Sequence, residues 1–480
     1  MYKDTDFQAY LDEIDKSRKD GYKLITSLGG TGLLGENFTY NLADGLITNV
    51  AVISRDINKS SALLMDIANA VAASRAKVNP RLLGLSEPGY KVLSPEIAKY
   101  AGKKIIESGH FKFKTVRDVL KKDFHDMNVI GFSVYDEEKT KAILRRTDIL
   151  NCSIGGLPAV EKGPELKDLS NSLIDRDFSL ETNVKIILSI SPLLKEINRE
   201  ALVIMTATPE AECAEIFRRE SGLSPQKIIM IGGLLDSNRA RSRIGAIFDE
   251  PIENISNVQV VGNHGDGSVG NRVVPLFDKV EIDGMSYYEY FMENLEGNGR
   301  GYSLNIRRVE EEFDAECSKG ISANDRLMKV ADYLTTKEVT EKLPLIPKYI
   351  VEGTKRSTKF GPFSTQELVK GLISYALNAR DGNAGRVESL GVYLPKNFNN
   401  CGTTEDVYLT HPAIITEGGS SLYNVKNYSS IAKQYLKEGQ EKITASLEKL
   451  DKKMDILREE SQREFANNRE LTKNKRVPAL

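Results

Sequence analysis

An aspartate, an arginine three residues after it and a histidine about two dozen residues further on supply the groups needed to reduce a 2-keto acid. They lie in Leu235-Asp236-Ser237-Asn238-Arg239-Ala240-Arg241 and Gly262-Asn263-His264-Gly265-Asp266. The guanidinium of Arg239 can grip a substrate carboxylate through two parallel hydrogen bonds. The imidazole of His264 can give or take the proton on the hydroxyl oxygen, while Asp236 orients the ring and stabilises its cation. The plain alternatives are a helix-face ion pair for Asp236 and Arg239, and a surface or core position for the histidine. The chain has four histidines, and this one sits between glycines; glycines also precede Asp236. Both facts favour chemistry over structure.

A hydride donor is the missing reactant, and the N-terminal region offers a place for one. Gly29-Gly30-Thr31-Gly32-Leu33-Leu34-Gly35 follows an apolar run at 23–28 and opens a helical pattern at 36–44. Gly30, Gly32 and Gly35 satisfy G-x-G-x-x-G, which lets the backbone turn tightly and approach a pyrophosphate at a helix N-terminus. Gly30, Gly32, Leu33 and Gly35 are therefore expected to bind NAD or NADP. The next strand, 49–54, ends in Val52-Ile53-Ser54-Arg55-Asp56. Ser54 stands where an acidic residue would bind the ribose of NAD, with Arg55 beside it, a pairing that suits the 2′-phosphate of NADP. In the rival reading Asp56 reaches back to the ribose and Arg55 stacks on the adenine.

These residues need a scaffold. A polar, helical lead-in occupies 1–21, and apolar runs recur at 23–28, 49–54, 127–132, 148–152, 201–205 and 227–231, separated by helical patterns. Such alternation predicts an α/β fold with a doubly wound, Rossmann-type parallel sheet over 22–232. A lysine-rich stretch at about 74–125 reads as a helical insertion. A second, α+β catalytic domain is expected over 233–450, with a charged helical insertion at about 287–345. Residues 451–480 form a helical C-terminal extension. Leu436, Ile443, Leu447, Leu450, Met454 and Leu457 recur at heptad-like steps, so one long final helix packs either on its own domain or on another subunit.

Composition excludes several classes. The 480 residues are 40% hydrophobic and 28% charged, with 66 basic against 68 acidic side chains and a net charge of −2. No bulk field favours nucleic acid or an anionic membrane, and Lys473, Lys475 and Arg476 read as a solvated tail. Four widely spaced cysteines, with no C-x-x-C pair, fit a reducing cytosol better than zinc or disulfides. No apolar signal region or membrane-length run is present, so a cytoplasmic protein is expected. Its partners would be a small 2-keto or 2-hydroxy acid and further copies of itself, as a dimer or tetramer. No metal site is expected.

Taken in order, these segments resemble the malate and lactate dehydrogenase family. The resemblance rests on the glycine turn, Gly155-Gly156-Leu157-Pro158, Arg176-Asp177-Phe178 leading to Asn183-Val184-Lys185-Ile186-Ile187, and the Asp236 and His264 segments. Near the end, Glu405-Asp406-Val407-Tyr408-Leu409 and Pro412-Ala413-Ile414-Ile415 are similar to the family's last hairpin. The resemblance implies that His264 is the acid/base with Asp236 and that Arg239 binds the substrate carboxylate. It also implies that Arg176 polarises the carbonyl from a closing loop and that Gly156 lies against the cofactor. His110, His125 and His411 match no family position.

Two departures bear on the substrate. Where the family has an asparagine before a proline, the chain has Thr206-Ala207-Thr208-Pro209, so Thr208 takes the substrate contact. The lid reads Ala159-Val160-Glu161-Lys162, with no arginine directly after the proline, so Lys162 or Lys167 would meet a second carboxylate. The leading function is an NAD(P)-dependent 2-hydroxy acid dehydrogenase, with malate as the substrate the resemblance favours. A nucleotide-binding sensor or scaffold with reduced or lost turnover is the second reading. An NAD-dependent glycosidase of the same fold, which needs a cysteine and histidine metal site, is the third.

Overall fold

The computed structural model describes residues 4–30, 49–56, 59–60, 63, 110–118, 123–155, 176–248, 250–265, 269–287, 289–290, 368–369, 371–373, 375–377 and 386–474. Apolar runs of three to six residues build the centre: β1 (Leu24–Leu28), β2 (Asn49–Ser54), β5 (Ile149–Cys152), β6 (Leu202–Met205) and β7 (Ile228–Met230), each buried at every position. Strands covered on both faces need no alternation, which is why they read as continuous hydrophobic segments. With β4 (Asp123–Ser133) they run parallel in the order β4-β2-β1-β5-β6-β7. Strand order reverses between β1 and β5, the point of a doubly wound sheet beyond whose carboxyl ends a ligand generally binds.

The end of the lysine-rich stretch departs from the helical expectation. β3 (His110–Asp118) pairs antiparallel with β4, closing the sheet edge as a hairpin with an irregularity between Val116 and Asp118. His110-Phe111-Lys112-Phe113-Lys114 alternates with period two, a strand signal that the lysine content obscured. Residues 74–109 lie outside the described residues, as do the expected helix at 36–44 and the second insertion from 291 to 345.

The expected boundary at 232/233 falls where β7 gives way to a helix, yet the sheet does not stop there. β13 (Glu388–Leu394) joins antiparallel to β7 through Gly391 and Met230, and β14 (Val407–Thr416), β9 (Val260–Gly262) and β10 (Val273–Pro275) continue it. Gly391 permits this junction, because a Cβ there would stand 2.2 Å from Met230 Cε. β15 (Gly419–Leu422) pairs with β14 to complete twelve strands, and β8 (Ile255–Ser256), β11 (Glu281–Ile282) and β12 (Met285–Ser286) form a small second sheet.

Helices cover both faces. One face carries Ile25, Val52, Ile149, Ile204 and Ile229 beneath Val369, Leu372, Ile373 and Ala376. The other packs α1 (Asp4–Lys19), α2 (Glu137–Leu144), α3 (Arg176–Ser189) and α4 (Glu210–Ser221). The polar lead-in, α1, buries Tyr10, Leu11 and Ile14 and is fixed by forks: Arg18 onto Asp148 at 3.2 and 3.0 Å, and Arg146 onto Asp15 at 2.8 Å twice. α5 (Gly232–Phe248) follows β7 directly.

The final helix is two helices, α6 (Ser430–Asp451) and α7 (Met454–Asn474), broken at Lys452 and Lys453. Leu436, Ile443, Leu450 and Leu457 are buried within the chain itself, with Leu447 and Met454 packed beside them. The seam is thus covered by its own molecule rather than presented to another. α7 lies along α3, pinned to it by Lys185 to Glu460 at 3.1 Å and to α4 by both terminal nitrogens of Arg458 on Glu220 at 2.7 Å. No helix among the described residues is long and apolar enough to cross a membrane.

Candidate active site

Asp236 lies in the second turn of α5 and Arg239 one turn further along the same face, as three-residue spacing requires. His264 stands two residues beyond β9. Gly262 adopts φ +131°, and a Cβ there would lie 2.4 Å from Arg272 O, so only glycine allows this tight exit from the strand. Asn263 then anchors the turn by donating to Gly270 O at 2.8 Å.

These elements bring the three sequence-predicted groups together. His264 Nδ1 lies 2.6 Å from Asp236 Oδ2, and Arg239 donates to Asp236 Oδ1 at 3.2 Å. A carboxylate only accepts, so Nδ1 carries the proton on the side of Asp236. The Asp236 side chain is 4% exposed and that of His264 23%, so the anion is sealed while the ring it orients stays within reach of a ligand. Burial pushes the imidazole toward its neutral form. The charge and hydrogen bond of Asp236, with a contribution from Glu210, outweigh that and the opposing charge of Arg239, so its pKa is raised above the usual histidine value.

A second group belongs here that sequence reasoning did not find. Glu210 opens α4 directly after the cis Thr208–Pro209 bond and accepts the Gly232 N–H at 2.9 Å. A Cβ on Gly232 would stand 2.3 Å from His264 Cγ and 2.7 Å from Glu210 Oε2. Gly233 is equally confined, with Thr410 Cγ2 at 2.4 Å and Ser389 O at 2.9 Å from the same point. Gly232 is what lets the start of α5 press against the histidine, and Gly233 lets it press against β13 and β14. An acidic residue at the start of a helix reads as ordinary dipole complementation, and nothing local places Glu210 beside a residue 54 positions away.

Thr208 is exposed, and its carbonyl accepts a 2.6 Å hydrogen bond from Asn183 Nδ2 on α3. Asn183 Oδ1 is buried with no partner among the described residues and lies 3.9 Å from where a Gly155 Cβ would be. These groups line the carboxyl ends of β5 and β6. Across the switch point Gly29, with φ +82°, brings its backbone so close to Ser153 that a Cβ would lie 2.7 Å from Ser153 O. Gly30 is similarly confined, 2.7 Å from Val52 Cγ1.

Ser54 departs from its expected role. Its hydroxyl donates to Asp56 O at 2.9 Å and pairs with Ser60 Oγ at 2.7 Å, and the residue is buried. The turn consumes the oxygen meant for a ribose phosphate, so the strand tip presents Arg55 and Asp56, both exposed. Arg176 is the first residue of α3. Its side chain, and Gly32, Leu33, Gly35, Gly156 and Lys162, lie outside the described residues.

No family model matches the chain. It is 29% identical to a malate dehydrogenase of Thermoplasma volcanium over 168 residues, 33% of this chain and 47% of that protein. To an L-lactate dehydrogenase of Clostridium botulinum it is 28% identical over 120 residues, 25% of this chain and 36% of that one. The chain thus spans less than half the length of the curated relatives it matches. In structure it resembles Cryptosporidium parvum malate dehydrogenase, with a TM-score of 0.57 and 16% identity over 90% of this chain and 99% of that one. Cryptosporidium parvum lactate dehydrogenase, solved with lactic acid and nicotinamide adenine dinucleotide, gives 0.56 and 16% over 90% and 98%. The chain is thus similar to malate and lactate dehydrogenases in sequence over part of its length and in fold over nearly all of it.

Proposed function

We propose that the protein is an NAD(P)-dependent 2-hydroxy acid dehydrogenase. The observation that carries the reading is the sealed Asp236 bonded to His264 on one oxygen and to Arg239 on the other, at the carboxyl edge of a doubly wound sheet. Gly29 and Gly30, where a Cβ would collide with Ser153 or Val52, hold the end of β1 close against its neighbours at the switch point, and a dinucleotide laid across that point would have the exposed Arg55 and Asp56 at the tip of β2. Gly32, Leu33, Gly35 and Gly156 would complete that contact. When bound, the dinucleotide supplies the hydride.

The chain's own residues do the rest. Arg239 spends one N–H group on Asp236, and the guanidinium fork has others with which to hold the substrate carboxylate. His264 donates a proton to the carbonyl oxygen as charge builds there, and Asp236 stabilises the imidazolium before transfer and fixes the ring after it. Thr208, held by Asn183, faces the substrate, and Arg176 with the lid would polarise the carbonyl and exclude water.

The relatives include dehydrogenases of malate and of lactate; malate is the leading candidate by the sequence resemblance, and charge gives a physical test of it. With His264 protonated, Asp236 and Glu210 balance His264 and Arg239, so each substrate carboxylate adds an unbalanced charge, and a second one calls for a further cation, for which Lys162 is the candidate. The test is to follow absorbance of NADH and of NADPH with pyruvate, oxaloacetate and longer 2-keto acids. Oxidation that depends on a 2-keto acid supports the reading. Cofactor binding without turnover on any of them overturns it in favour of a sensor. A preference for NADH assigns the strand tip to Asp56, and one for NADPH assigns it to Arg55.

A further inference from the structure

Asp236 already holds His264, yet a second carboxylate is built against the same ring from a different element. Glu210 Oε2 and the His264 ring both crowd the point where a Gly232 Cβ would lie, at 2.7 Å for the carboxylate and 2.3 and 2.6 Å for ring atoms Cγ and Cδ2. The carboxylate is therefore within about 5 Å of the imidazole, the range over which an opposite charge favours the charged form. Its orientation is fixed by the Gly232 N–H at 2.9 Å, and the residue is 8% exposed, so water screens it little.

Among the described residues, the other groups around the ring differ from it in sign or pairing. On α5 they are Asp236 and Arg239, of opposite sign and bonded to each other. From β13 and β14 the neighbours of the glycine pair are Ser389 and Thr410, both uncharged. On α6, Glu438 is closed in a fork with Arg272 at 2.8 and 3.1 Å. Arg239 opposes the proton on His264, and Asp236 is the anion shared between the two cations. Glu210 supplies the second negative charge that this arrangement lacks.

We infer that Glu210 is a second anionic partner of His264, a positioning residue that holds the imidazole protonated and so poises the site for reduction of a keto acid. This rests on His264 being the acid/base of the proposed reaction. Its effect is directional. An imidazolium that persists to higher pH keeps the reductive direction active above neutrality, and it makes the hydroxy acid direction wait for more alkaline conditions. The hydrogen bond to Gly232 adds a mechanical link, since it ties the start of α4 to the residue on which the ring rests.

Glu210→Gln separates charge from structure, because the amide oxygen can still accept the Gly232 N–H. The measurement is a histidine side-chain NMR titration of the full chain, with the His264 signal assigned by its loss in His264→Ala. The midpoint of His264 is expected to move to lower pH by at least ~0.5 unit, about threefold in the protonated-to-neutral ratio at a fixed pH. The signal of His411, whose ring bonds go to Pro412 O and the Tyr428 hydroxyl, should stay in place. An unmoved His264 midpoint overturns the inference, showing that Glu210 itself holds a proton or is screened. Should Glu210→Gln fail to fold, Glu210→Asp keeps the charge but draws it back by one methylene. A smaller shift in the same direction supports the inference, and an unmoved midpoint overturns it. The titration needs no turnover, so a shifted midpoint in a protein that reduces no keto acid would defeat the proposed function and leave this inference standing. In an active enzyme, the alkaline limb of kcat/KM for reduction follows the same shift.

Discussion

Asp236→Asn removes one charge from the centre of the site while keeping the shape of the side chain. A charge-assisted hydrogen bond to a group this deeply buried contributes about 1.5–3 kcal/mol. The same interaction counted as a Coulomb attraction at about 4 Å, with an effective dielectric constant near 20, gives about 4 kcal/mol. The two figures describe one interaction and are not summed. They bound the loss at ~2–4 kcal/mol, or roughly 30- to 1,000-fold in the rate of keto acid reduction. Asparagine can also turn its amide nitrogen toward Nδ1, favouring the tautomer in which Nε2 carries the proton and Nδ1 accepts. Cofactor affinity should hold, since Asp236 lies on α5 beyond β7, whereas the proposed dinucleotide position is at the switch point between β1 and β5. The alkaline limb of the pH profile should move to lower pH. A group whose folded pKa is raised is protonated up to that pKa, and losing Asp236 removes the main cause of the rise. The assay is single-turnover oxidation of reduced cofactor by the best keto acid from pH 6 to 9, beside cofactor titration and urea unfolding. A loss below threefold in a folded protein would refute the reasoning, as would a loss confined to cofactor affinity.

Arg239→Lys trades a planar fork for a point charge and should lower kcat/KM about 10- to 100-fold. Steady-state kinetics should show the loss mostly as a higher KM. Gly232→Ala places a Cβ 2.3 Å from His264 Cγ, so the ring must move; turnover should fall sharply while stability drops by about 1–3 kcal/mol, measured by kcat and Tm together. His411 is fully buried, with Nδ1 donating to Pro412 O at 2.8 Å and Nε2 accepting from the Tyr428 hydroxyl at 2.6 Å. Burial lowers its pKa to about 4. The unfolded chain takes up this proton near pH 6.5 and the native one does not, so stability is lost as pH falls from about 6.5 to 4, by up to ~1.4 kcal/mol per unit. Urea unfolding of wild type and His411→Gln at pH 7 and pH 5 isolates the term, and an identical pH dependence in both contradicts it.

Much of this arrangement is legible in the sequence because it is local or periodic. β1, β2, β5, β6 and β7 fall where apolar runs predict them, since a strand buried on both faces must be apolar throughout. Asp236 and Arg239 share a helix face by spacing alone, and the glycines around His264 mark a backbone that must turn sharply. What escaped depends on tertiary contact. Glu210 looks like a helix-start acid until Gly232 brings α5 against it. The break between α6 and α7 lies in Lys452 and Lys453, good helix formers that carry no stop signal. Ser54 matches its expected position in the strand, but its hydroxyl is consumed by Asp56 and Ser60, and Ser60 is six residues away. The β3 hairpin was legible in its alternation and misread through its lysines.

The central claim is that His264, held by Asp236, moves the proton while the dinucleotide delivers a hydride to C2 of a 2-keto acid. It is tested most directly with cofactor deuterated at the transferring position. The account predicts deuterium at C2 of the hydroxy acid product, at a rate that His264→Ala lowers at least ~1,000-fold while cofactor affinity stays within about twofold. Product without deuterium at C2, or equal turnover in His264→Ala, would contradict it.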